Sequence, residues 1–172
     1  MQYNLHPIFV HFPIALLAIY SAIKILPMRK WLPKVAWGDI ERILLVIGTL
    51  GTFAALATGD TAKHLFQPNR QLVGAHSDFA VIATLLYSAL LLGEILAYIA
   101  RRPAWLEKLG KTVSAVIVGL QPILFEGWVP KFIALIAFIA LAITGLLGGA
   151  IVYGATADPF VPVVLKLLGI TL

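Results

Sequence analysis

Leu5-His6-Pro7-Ile8-Phe9-Val10-His11-Phe12-Pro13-Ile14-Ala15-Leu16-Leu17 is the stretch whose reading decides the fold. It is free of Asp, Glu, Lys and Arg and runs on in apolar residues to Leu26, interrupted only by Ser21 and Lys24. About 20 residues of that kind cross the roughly 30 Å hydrocarbon layer of a bilayer as one helix. Two histidines stand at its mouth. Imidazole has no packing use in such a segment, and ionisable groups at membrane depth usually pair, bind a ligand or line a path.

Composition carries the membrane reading outward to the whole chain. Of 172 residues, 60% are hydrophobic and 12% charged, and the mean hydropathy is +0.95. A soluble domain carries about 25% charged residues. The chain therefore reads as a single all-α integral membrane domain, residues 1–172. No Lys or Arg precedes Lys24, so the basic start of a cleavable signal peptide is missing and the first helix is expected to stay. There is no cysteine, which excludes disulfides, thiolate-held iron–sulfur clusters and CxxCH haem attachment. The net charge of +5 comes from basic residues flanking apolar runs. Membrane orientation explains it, and no nucleic-acid partner is expected.

Four runs are long enough to span, at about residues 7–26, 42–60, 76–100 and 131–153. A fifth, 112–125, lies between Lys111 and Glu126 and contains Gln121-Pro122; its length favours an interfacial or re-entrant segment before the last span. The tail 155–172 is expected to lie on the membrane surface as a short amphipathic helix. The expected fold is thus a four-transmembrane-helix bundle. Ten of the 13 Lys and Arg residues, from Lys24 to Arg42 and from Arg101 to Lys131, fall on one side. Only Lys63, Arg70 and Lys166 fall on the other, where both termini lie. The positive-inside rule places the termini outside a bacterial inner membrane. Trp31, Trp37, Trp105 and Trp128 sit near the cytoplasmic ends, as interface anchors do. His6, His11, His64 and His76 then all share the outer side.

Small residues accompany the histidines. Ala15, Ala18 and Ala22 follow His11 at helical spacing, span two has Gly48, Gly51, Ala55 and Thr58-Gly59, and span four has Thr144-Gly145 and Gly148-Gly149. Such stripes either let helices pack closely or leave room for a flat macrocycle. His76, Ala83, Tyr87 and Glu94 share one stripe of span three. Glu94 reads as a snorkelled or Arg101-paired carboxylate, with a proton or quinone role as the rarer reading. Asp60 and His64, spaced i, i+4, could form a carboxylate–imidazole pair.

Imidazoles without thiols leave haem b, or a histidine-rich copper or zinc site, as the candidate cofactors. Bis-histidine haem requires rings on facing helices, and His11 with His76 is the expected pair. His6 with His64 is the expected second pair, and Arg70 and Lys63 are the cations available for propionates. No nucleotide, protease or hydrolase motif is present.

His6-Pro7-x-x-Val10-His11-Phe12-Pro13-Ile14-Ala15-Leu16, taken with Thr58-Gly59, a following histidine, His76 and Gly148-Gly149-x-x-Val152-Tyr153, resembles the bacterial membrane-protein family called domain of unknown function 2231. The resemblance runs from Leu5 to Gly154. It implies four helices and, through members joined to Rieske iron–sulfur modules, membrane electron transfer. Many members carry a further histidine after the last tyrosine; here the residues are Tyr153-Gly154-Ala155.

The expectation is a b-type cytochrome subunit with one or two haems near the outer face. It would exchange electrons with an outward Rieske or c-type cytochrome module and with quinol or a larger complex, as a subunit or homo-oligomer surrounded by lipid. The rival readings are a copper- or zinc-handling protein and a cofactor-free anchor subunit.

Overall fold

The structure is a computed structural model and describes residues 6–66, 69–125, 127–156 and 158–171. The described residues form helices α1 (His6–Ile25), α2 (Met28–Trp31), α3 (Trp37–Phe66), α4 (Arg70–Ala100), α5 (Pro103–Leu109), α6 (Lys111–Phe125), α7 (Val129–Tyr153) and α8 (Val161–Leu167). Four are long and apolar enough to cross a membrane: α1, α3 over Trp37–Ala62, α4 and α7.

Helices α3, α4 and α7 begin before the apolar runs that announce them. Hydropathy marks only the part inside hydrocarbon, whereas backbone hydrogen bonding continues into the interface. Helix α3 starts at Trp37, with Asp39 in the first turn where its charge favours the helix dipole. Helix α4 starts at Arg70 because the Asn69 side chain accepts from the Gln71 and Leu72 amides at 3.0 and 3.1 Å.

Helix α1 packs on α3 and α7, and α4 packs on the same two, so α1 and α4 occupy opposite corners of the bundle. The core between them holds Leu17, Tyr20, Leu45, Ala83, Tyr87, Leu90, Ala134, Ala137, Ala140 and Leu141. Tyr87 forms a hydrogen bond with Ser21 at 2.8 Å and meets Tyr20 edge to face with centroids 6.2 Å apart. Small residues on α3 set its distance from α1. A methyl group at Gly51 would lie 3.0 Å from Pro13 Cβ, and one at Gly48 would lie 2.6 Å from Leu17. The alanine stripe below His11 behaves otherwise: Ala15 and Ala22 are exposed to the surroundings. Ala18, between them, is half-buried.

Helix α6 does not cross. Its first turn is tied to α5, with Ser114 Oγ donating to the Leu106 carbonyl at 2.6 Å. Its last residue, Phe125, lies between Lys24 Nζ at 5.4 Å and Arg101 Cζ at 5.2 Å, at the ends of α1 and α4. Both ends of α6 therefore sit at one end of the bundle. It is held against α4 by a close approach at Gly93, where an added methyl would stand 2.5 Å from the Leu124 carbonyl oxygen. Gly93→Ala is expected to push α6 off α4 at a cost of about 1–3 kcal/mol. Limited proteolysis should then cut the α5–α6 region faster, and an unchanged cleavage pattern would count against this contact.

The charged residues at that same end are paired in a way the sequence does not reveal. Glu41 is buried and takes Lys24 at 3.3 Å and Arg29 at 2.8 Å. Glu94 is buried and faces Arg42 at 3.6 Å, not the expected Arg101, whose guanidinium lies over Phe125 instead. Helix α3 brings Arg42 to the inner face of α4, while Arg101 lies beyond the end of that helix. At the opposite end, α8 buries Val161 and Leu165 against Leu72, Leu147 and Ala150, so the tail docks on α4 and α7.

Candidate functional site

His6 opens α1 on the same stripe as Pro13, Leu17 and Tyr20, spaced by seven, four and three residues, and these three are buried. That stripe faces the bundle. His76 lies two turns into α4, above the buried Ala83, Tyr87 and Glu94. From opposite corners the two rings meet across one end of the bundle, with centroids 6.4 Å apart and planes at 88°.

Both rings are anchored through Nδ1 by the helices between them. The Thr58 hydroxyl spends its only proton on the Ala55 carbonyl at 3.0 Å. His6 Nδ1 lies 3.0 Å from the same hydroxyl oxygen, a contact in which the ring donates when its proton is on Nδ1. His76 Nδ1 is 2.9 Å from the Thr144 carbonyl, which can only accept. With the proton on Nδ1, an imidazole keeps its lone pair on Nε2, the form in which histidine binds a metal.

Glycines make these anchors reachable. A methyl group at Gly59 would lie 3.1 Å from His6 Cε1, and one at Gly148 would lie 3.3 Å from His76 Cε1. A side chain on a helix covers the turn before it. Its absence at Gly148 is what opens the Thr144 carbonyl to an imidazole. The α1–α3 and α4–α7 pairs thus supply matching half-sites, each a histidine, a threonine and a glycine. The threonines were visible in the sequence only as neighbours of glycine; their occurrence at the histidine end of spans two and four was the available signal.

The other expected site residues fall elsewhere. His11 is exposed, and its Nδ1 contacts the Pro7 carbonyl of its own helix. Five residues turn a helix by about 140° from His6, so the two cannot both face inward. The structure brings His6, and not His11, beside His76. The backbone of His64 belongs to α3, but its side chain and that of Lys63 lie outside the described residues, and with them the expected His6–His64 and Asp60–His64 pairs; Asp60 itself is exposed. Arg70 is exposed and lines a cleft of about 350 Å³ with Asp78, Phe79, Leu168 and Ile170. It lies six residues before His76 and so about a third of a turn away from its face.

Among the described residues, no three His, Asp or Glu side chains converge as a metal-binding group. Protein-built zinc sites need three or four ligands. Two imidazoles suffice for a metal that arrives with its equatorial ligands already in place, as iron does in haem.

Comparison with known proteins gives one match. The profile of a family described as "Predicted membrane protein (DUF2231)" matches residues 2–158. No curated protein and no solved structure shows significant similarity to the chain.

Proposed function

We propose, from the premise that this chain belongs to the DUF2231 family of predicted membrane proteins, that it is a b-type cytochrome holding one haem b between His6 and His76. The ring separation carries this reading. An imidazole nitrogen binds a first-row metal at about 2 Å and the ring centre lies about 1 Å behind it, so an ion between two rings sets the centroids about 6 Å apart. The centroids here are 6.4 Å apart. Anchored Nδ1–H groups add to it, because they direct Nε2 away from Thr58 and Thr144 and raise the basicity of the ligating nitrogen.

Bound haem supplies one-electron iron chemistry. The chain's own part would be to hold it with His6 and His76, and two imidazole ligands would favour electron transfer over oxygen chemistry. One haem is proposed, because His6 is engaged with His76 and His11 faces outward. The basic residues gathered at the α6 end support an orientation with the histidine end and both termini outside a bacterial inner membrane. An outward Rieske or c-type cytochrome module would then be the redox partner, with quinol or a larger complex on the other leg. The connections between the described helices are short, which favours work as a subunit.

Spectra of the purified protein, oxidised and dithionite-reduced, test the proposal together with elemental analysis. Sharp reduced haem bands at one haem per chain are expected. Copper or zinc without haem would replace this reading with a metal-handling one, and a colourless, metal-free preparation would leave the anchor-subunit reading.

A further inference from the structure

We infer that Arg101 and Arg102, at the elbow between α4 and α5, form a seat for the phosphate of an anionic phospholipid headgroup. The Arg102 guanidinium lies 4.0 Å from the Tyr98 ring centre and 5.6 Å from that of Trp105. Those two rings pack edge to face at 6.0 Å, so they form an aromatic corner around it. Arg101 lies 5.2 Å over the Phe125 ring at the end of α6. A guanidinium held by its face keeps its N–H edge for acceptors, and that planar fork matches phosphate oxygens in pairs. Two forks, on consecutive residues, are thus set in place before any ligand arrives.

Among the described residues, the local carboxylates do not neutralise them. Glu41 is taken by Lys24 and Arg29, and Glu94 and Asp39 by Arg42. Glu107 forms no ion pair with either arginine, and among the described residues neither arginine is ion-paired at all. Both are exposed.

Their surroundings select a lipid over a free anion. Trp105 is exposed at the elbow and Trp128 is exposed at the start of α7, and amphipathic rings of this kind mark the membrane interface. Helix α6 leaves Val113, Val116 and Leu120 exposed along its length, an apolar face fit for the acyl chains of a lipid whose headgroup sits at the arginines. Basic pockets at the ends of transmembrane helices take anionic headgroups in this way. The inference depends neither on haem nor on which side of the membrane this end faces.

Native mass spectrometry of the full chain in detergent, with added phosphatidylglycerol or phosphatidylcholine, tests it. The expected result is several-fold greater retention of phosphatidylglycerol, reduced to parity in R101Q/R102Q and retained in K30Q/K34Q, which loses the same charge elsewhere at this end. R101K/R102K keeps the charge but not the fork and is expected to lose at least half of the preference. An unchanged preference in either arginine variant would overturn the seat, as would equal losses in K30Q/K34Q. Displacement of the lipid by millimolar inorganic phosphate would assign the arginines to a free anion instead.

Discussion

Replacing His76 by alanine is expected to abolish the reduced-haem spectrum, and replacing His6 is expected to do the same, while His11→Ala leaves it intact. The contrast is what makes the experiment informative, since His6 and His11 belong to one short motif at one helix end. Only His6 shares the buried stripe of Pro13, Leu17 and Tyr20, and only its ring stands 6.4 Å from that of His76. Removing either would leave the proposed haem a single histidine, and with it no low-spin bis-histidine iron. Apoprotein that still folds, with an unchanged helical circular-dichroism spectrum, separates ligand loss from unfolding. Full haem in His76→Ala, or colour lost in His11→Ala, would discard this pairing while leaving open whether haem binds elsewhere.

The largest stability loss is expected at the other end of the bundle, from Glu41→Ala. Glu41 and Lys24 have side chains only 4% and 12% exposed, joined at 3.3 Å. Truncating the acid strands an ammonium group in a dry interior, at a cost of about 3–5 kcal/mol. Arg29 also touches Glu41, but its side chain is 66% exposed. Its removal is expected to cost no more than about 1 kcal/mol, because water solvates what remains. Replacing Glu41 and Lys24 together by leucine should recover most of the loss, since apolar packing then substitutes for a pair that was expensive to desolvate. Thermal unfolding of the four proteins in one detergent provides the comparison. Equal losses for Glu41→Ala and Arg29→Ala would refute this account of the inner end.

The two ends of the molecule therefore do different work. At the α6 end, buried ion pairs tie α1, α3 and α4 together, and Arg101 and Arg102 remain exposed beside the interface. At the histidine end there are few charges. Two imidazoles are held there by Thr58 and Thr144 on the intervening helices, and Gly59 and Gly148 leave room for the rings.

Hydropathy alone determined the four crossings, the short fifth segment, and the gathering of His6 and His76 at one end. These follow from the cost of placing charge and unpaired backbone in hydrocarbon, a cost that depends on the order of residues and on nothing else. Rotation of each helix about its axis is a different matter. Lipid is as apolar as the bundle core, so the residues of α1 carry little signal of which side faces inward. Contact decided it: Gly48 against Leu17 and Gly51 against Pro13 turn His6 into the bundle and His11 out of it. The same holds for Glu94, whose partner became Arg42 because α3 lies beside α4. Which groups can act together was settled by which helices touch, and a linear order of residues does not contain that information.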